Sequence, residues 1–174
     1  GHCHPRVVEA LTRQAATLAT HTRYLHDGIL AYAERLLALF PPELSHVMFT
    51  CTGSEANDLA LRIARAATGG TGVLVTDNAY HGVTTEIAAI SPSLGGLASL
   101  APWVRVIPAP GRGVDFAAGV RAGLDSLAVA GIRPAALIVD TVFASDGVHP
   151  EVPGFADAVA AVRAAGALFI ADEV

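Results

Sequence analysis

The chain has 174 residues, 52% of them hydrophobic, which is enough for a compact domain with a sizeable buried core. A formal charge of −5, with eleven basic residues scattered singly from Arg6 to Arg163, leaves no basic footprint for nucleic acid or an acidic membrane surface. No apolar run reaches the ~20 residues of a membrane helix, and Cys3 and Cys51 lie too far apart in sequence to suggest a secreted disulfide framework, so a cytoplasmic protein is expected.

Pro5 followed by Val7, Val8, Leu11, Ala15 and Leu18 predicts a helix that starts on proline and buries one stripe, with the next helix as its partner. That second helix is expected from about Ile29 to Phe40, ended by Pro41 and Pro42, because proline lacks the donor a helix interior needs. These elements make residues 1–45 a helical segment, and the polar loop between them runs from Thr20 to Gly28. From residue 46 the period changes, with short β-type runs expected at Val47–Thr50, Val73–Thr76, Val104–Ile107, Ala136–Asp140 and Leu168–Ala171. Helical patterns alternate with them at Ser54–Ala67, about Gly82–Ile90, Asp115–Ala130 and Phe155–Ala165. Strands alternating with helices, with continuous apolar runs such as Leu137, Ile138 and Val139, predict an α/β fold with a mostly parallel sheet covered on both faces.

Ligands of open parallel sheets bind at the carboxyl ends of the strands, so the residues there are read together. The first expected strand runs through Thr52, Gly53 and Ser54 directly into a helix, which aims free amides and a positive dipole end at one point. That is an anion site, or an ordinary helix start capped by Ser54, which is the better reading of this run taken alone. Tyr80 and His81 follow the second strand; an aromatic face there suits a planar ring, and plain packing suits it as well. Asp140 and Asp172 close the fourth and fifth strands, where a carboxylate either holds a protonated ring nitrogen or caps a turn. His2, Cys3 and His4 are crowded without a second ligand pair downstream, so no metal site is read from them. A Gly-x-Gly-x-x-Gly turn after the first strand is absent, which disfavours a dinucleotide site.

Taken in order, GHCHP at the start, TRYLHD at 22–27, CTGSEANDLALRIAR at 51–65, AYHG at 79–82 and ADEV at 171–174 resemble the class III pyridoxal-phosphate-dependent aminotransferase family, of fold type I. The TRYLHD stretch resembles the branch that includes ethanolamine-phosphate phospho-lyases and related aminotransferase-like proteins. The resemblance implies pyridoxal 5'-phosphate as cofactor, with residues 46–174 forming the N-terminal part of the cofactor-binding large domain. Gly53 and Ser54, with Thr52 beside them, would then hold its phosphate; Tyr80 would stack on the ring with His81 alongside. It further implies that Asp172 binds the pyridinium nitrogen, that Val174 packs on the opposite ring face and that Asp140 stands on the hydroxyl side. Arg23, Tyr24 and His26 would lie on the substrate side, or else serve packing and capping. A homodimer using an amine or amino acid and an oxo acid is implied as well.

Phe143 and Ser145 occupy positions where many members carry a glutamine and a second glutamate, and the phospho-lyase-like branch lacks that glutamate too. All eleven basic residues are arginines, so the lysine that such enzymes join covalently to the cofactor is not within this sequence. The chain is therefore expected to be a piece of a longer protein, to contain no catalytic residue and to be inactive alone. Transamination to an oxo acid is the expected activity of the whole protein. The alternatives are elimination of phosphate from a phosphorylated amino alcohol and a non-catalytic phosphate- or nucleotide-binding module.

Overall fold

The computed structural model describes residues 2–21, 23–111 and 113–173, and the chain divides into two units, Gly1–Met48 and Phe49–Val174. In the first unit, α1 spans Pro5–Thr17 with proline in its first turn, where the missing N–H costs nothing. Its apolar stripe is not buried: Val7, Val8 and Leu11 are all exposed. Periodicity is enough to select the helix, but covering the stripe requires a facing surface, and α1 has no buried residue. Helix α2 spans Asp27–Leu37 and is capped by His26, whose ring accepts a hydrogen bond from the Gly28 amide. It ends three residues short of the expected Phe40, and Leu39 and Phe40 continue it only as turns bonded to Leu36 and Leu37 ahead of Pro41.

The run expected to form a first strand at Val47–Thr50 forms none. A strand exists only where a neighbour accepts its backbone hydrogen bonds, and the sheet among the described residues has four strands, none of them drawn from this run. The second unit therefore opens with a helix, α3 (Gly53–Thr68), before β1 (Gly72–Thr76). There follow α4 (Thr85–Ala88), α5 (Pro92–Gly95), β2 (Val104–Ile107), α6 (Phe116–Val129), β3 (Pro134–Val139), α7 (Phe155–Ala164) and β4 (Leu168–Ala171). The helix expected over Gly82–Ile90 is cut to one turn, because Gly82 sits at φ +129° and Thr84 is extended.

All strand pairs are parallel and the order is β2-β1-β3-β4. The chain moves from β1 outward to β2, then crosses back to β3 and on to β4, so the direction of winding reverses between β1 and β3. Ligand crevices of doubly wound sheets lie at that reversal. Alternating strand residues feed two cores. Leu74, Leu137 and Val139 pack with Phe116, Val120, Leu127, Ala158 and Val162 of α6 and α7. Val73, Val75 and Ile138 pack on the opposite face with Leu61 of α3, Ile87 and Ile90. The expected α/β architecture, a parallel sheet with helices on both faces, is what forms.

Aromatic packing carries the first core out to the strand ends. Phe143, in the loop after β3, is buried edge-on against Phe116 and Phe155, with ring centroids 5.6 and 6.2 Å away. Its backbone is left-handed at φ 55°, a conformation disfavoured for a bulky residue, so the burial of its ring holds the loop in place. Phe143→Ala is expected to lower stability by about 3–5 kcal/mol, read as a fall in the urea midpoint.

Candidate functional site

Helix α3 begins with a capping box. Thr52 Oγ1 accepts from the Glu55 amide at 3.1 Å, and Glu55 Oε2 accepts from the Thr52 amide at 3.1 Å and the Cys51 amide at 2.8 Å. The cap is thus Thr52 rather than the Ser54 considered from sequence, and the reciprocal arrangement satisfies the amides of residues 51, 52 and 55. Gly53 and Ser54 keep theirs without a partner among the described residues. Two adjacent N–H groups at the positive end of a four-turn helix form an anion cradle.

Ser54 is used differently. Its Oγ accepts from the Val83 amide at 3.0 Å, which ties the start of α3 to the loop after β1 and leaves the hydroxyl hydrogen free to donate. The approach is close enough to require glycine at 82. A Cβ there would lie 2.4 Å from Ser54 Oγ and 2.8 Å from its Cα, and the φ of +129° strains any side chain. Beside this contact Tyr80 is 45% exposed, so its ring is available to a ligand, whereas His81 is 3% exposed.

His81 faces Asp172. Its Nδ1 lies 2.9 Å from Asp172 Oδ2, so Nδ1 carries the proton and donates it to the carboxylate; Nε2 is buried without a partner among the described residues. The same Oδ2 accepts from Asn57 Nδ2 at 2.9 Å. Asp172 is 8% exposed, and its amide extends the ladder by donating to the Val139 carbonyl at 2.9 Å, which seats the residue at the tip of β4 beside β3. Its Oδ1 has no hydrogen-bond partner among the described residues. Asn57 is three residues beyond Ser54 on α3, a rise of about 4.5 Å, so the residue that holds the carboxylate stands about one helical turn beyond the cradle.

The remaining sequence candidates make local contacts where they are described. Asp140 accepts from the amides of Val142 at 2.8 Å, Phe143 at 3.1 Å and Ala144 at 2.6 Å, so both carboxylate oxygens cap its own loop. In the N-terminal unit, Arg23 donates its amide to His21 Nδ1, Tyr24 packs its ring 5.3 Å from that of His21, and His26 caps α2. Val174 lies outside the described residues.

Two residues were not foreseen from sequence. Asn57 is one, and its signal was a polar side chain in the buried stripe it shares with Leu61, Ala64 and Thr68. Asp146 is the other: its Oδ2 accepts from Thr76 Oγ1 at 2.6 Å and its Oδ1 from the Asn78 amide at 3.0 Å. It thereby ties the loop after β3 to the end of β1, across the point where the sheet reverses. Burial pushes its carboxyl above the ordinary carboxylate value; the Thr76 and Asn78 hydrogen bonds oppose this, Asp77 adds to it and His81 opposes it. Contacts between residues 70 positions apart leave no local pattern.

The open parallel sheet, with two unpartnered amides, an exposed aromatic ring and a buried carboxylate at its strand ends, defines the chain as an α/β protein of the doubly wound kind. The chain belongs to the class III aminotransferase family, whose pattern it matches over residues 1–174. It is 37% identical over 194 residues to an alanine–glyoxylate aminotransferase 2-like protein of Drosophila melanogaster, covering 100% of this chain and 39% of that protein. It is 42% identical over 113 residues to an ethanolamine-phosphate phospho-lyase homologue of Caenorhabditis elegans, covering 63% of this chain and 24% of that one. Among solved structures, an Arthrobacter phospholyase in complex with phosphoethanolamine superposes with a TM-score of 0.90 at 39% identity, over 98% of this chain and 43% of that one. The chain thus spans about two fifths or less of the length of these relatives.

Gly82→Ala is expected to cost about 1–3 kcal/mol through backbone strain and the clash with Ser54, measured as a fall in the urea midpoint. For Asp146 the sign follows from its raised folded-state pKa. The fold holds that proton more tightly than the unfolded chain, whose reference value is 3.8. Its contribution therefore favours folding below that value and is lost as pH rises through the higher folded-state value. Asp146→Asn should abolish that acid-range slope in a plot of urea midpoint against pH, leaving the variant flatter than wild type.

Proposed function

We propose that this chain forms the phosphate and ring-nitrogen sides of a pyridoxal 5'-phosphate site, in a protein that transfers an amino group from an amine or amino acid to an oxo acid. The observation that supports it most is the link from Ser54 through Val83 and His81 to Asp172, which sets an anion cradle and a buried carboxylate on one rim. Several features fit the cofactor independently of the relatives. The amides of Gly53 and Ser54 and the Ser54 hydroxyl hydrogen are free for a phosphate. Asp172 Oδ1 is an unused acceptor, and the Gly82 contact closes the cradle where a Cβ would not fit.

In this reading Gly53 and Ser54 bind the phosphate, and Tyr80 orients the ring by stacking. Asp172, held by His81 and Asn57, accepts the hydrogen of the ring nitrogen and keeps it protonated. The bound cofactor supplies an electron sink for charge that develops beside the substrate nitrogen. Thr52, its hydroxyl oxygen engaged by Glu55, has only its hydroxyl hydrogen to offer the phosphate. Asp140 stands on the cofactor's hydroxyl side only by the family resemblance, its oxygens serving the loop. The sequence contains no lysine, so the amine that bonds to the cofactor must come from elsewhere in the protein, and these 174 residues alone should not turn over. A homodimer is part of the same proposal. So is a reducing, cytoplasmic setting, which the two free, exposed cysteines suit.

A second reading, elimination of phosphate from a phosphorylated amino alcohol, is favoured by the likeness to the phosphoethanolamine-bound Arthrobacter enzyme. Phe143, one of the two departures from the family pattern, is buried in the aromatic core and offers no polar group. Product analysis on the full-length protein separates the readings. Transamination predicts amino-acid product from the oxo acid and an absorbance shift to the aminated cofactor. Release of inorganic phosphate and ammonia without that shift would overturn the first reading in favour of the second.

A further inference from the structure

Asn57 lies on the sheet-facing side of α3 and is 6% exposed. Its side-chain nitrogen is 2.9 Å from the His81 carbonyl oxygen and 2.9 Å from Asp172 Oδ2. Both neighbours are acceptors only, so the orientation of the amide is forced: –NH2 faces them, and each of its two hydrogens is committed to a different element. One group on α3 thus fastens the loop after β1 and the tip of β4, partners 24 and 115 residues away in sequence.

The effect on Asp172 is directional. Asn57 and His81 both donate to Oδ2, while Oδ1 has no partner among the described residues. A carboxylate free to turn about its Cβ–Cγ bond exchanges its two oxygens; two donors fixed on one oxygen stop that exchange and leave the other unengaged. His81 depends on Asn57 in turn. Its carbonyl is held by Asn57 and its amide by Ser91 Oγ at 3.1 Å, so the peptide that carries the imidazole is clamped on both sides. The hydrogen bond from the neutral Asn57 amide also stabilises the negative charge of a buried carboxylate without neutralising it.

We infer that Asn57 is a positioning residue that presents the ionised Oδ1 of Asp172 to the cofactor's ring nitrogen and so sets whether that nitrogen is protonated. The inference rests on the proposed cofactor site, since it places a pyridine ring at Asp172. It assigns Asn57 a task that helix packing alone does not require, because an apolar side chain would fill the same stripe beside Leu61 and Ala64.

The test uses pyridoxamine 5'-phosphate labelled with nitrogen-15 in the ring, which binds without a bond to lysine, added to the full-length protein. The ring nitrogen's chemical shift is followed against pH. Wild type should hold the ring protonated well above the midpoint of the free compound. Asn57→Asp, equal in size but without donors, sets a second carboxylate against Oδ2. The two then share a proton, so the single negative charge is divided between the two carboxylates and less of it faces the ring nitrogen. Its midpoint should fall by about one to two pH units, a ten- to hundredfold loss of proton affinity. Asn57→Ser, which removes the amide without adding charge, should shift the midpoint in the same direction, and it decides the matter if Asn57→Asp does not fold. A folded variant whose ring nitrogen titrates as in wild type overturns the role of Asn57 while leaving the cofactor site standing. Failure of wild type to bind the labelled compound overturns the site itself, and the inference with it.

Discussion

Asp172 Oδ2 receives hydrogen bonds from Asn57 on α3 and from His81 in the loop after β1, while the residue's own amide continues the ladder of β3. A carboxylate that is 8% exposed is unfavourable unless such donors offset its lost hydration. Hydrogen bonds to a charged group contribute about 1.5–3 kcal/mol each, enough to dictate how these elements meet. Ser54 lies one turn from Asn57 on the same helix, and Val83 lies two residues from His81. Fixing the carboxylate therefore also fixes its position relative to the start of α3.

A comparable logic operates across the reversal of the sheet. Asp140 caps the start of the loop after β3, Phe143 anchors it in the aromatic core, and Asp146 fastens it to Thr76 and Asn78. Phe143 and Val148 both adopt left-handed backbone, at φ 55° and 65°, which is unfavourable for a bulky residue and for a β-branched one. Such conformations persist only where surrounding contacts over-determine them. The strain and the raised proton affinity of Asp146 thus sit at the rim of the proposed site, within the stretch that departs from the family pattern.

Much of this rim was legible without coordinates. Gly53 and Ser54 stand at a strand-like run feeding a helix, Tyr80 and His81 follow an apolar run, and Asp172 follows another, so the rule that ligands gather at strand ends was enough to group them. The same rule grouped Asp140 with them, and its oxygens accept from the amides of Val142, Phe143 and Ala144. It also rested on a strand at Val47–Thr50 that does not form, although the helix start that follows is where it was expected. Local propensity marks a run as able to pair; whether a neighbour lies within hydrogen-bonding distance is a property of the assembled sheet.

The sequence by itself determined the α/β alternation, the helix start that exposes two amides, and the polar and aromatic residue types that stand at the strand ends. Those follow from periodicity and from the chemistry of single side chains, which act over a few residues. Tertiary structure alone decided that Thr52 rather than Ser54 caps α3, that Asn57 and His81 share one oxygen of Asp172, and that Asp146 reaches back to β1. Each of these is a contact or a competition for a donor between elements distant in the chain. Its energy depends on geometry that exists only after the sheet has brought the strand ends together.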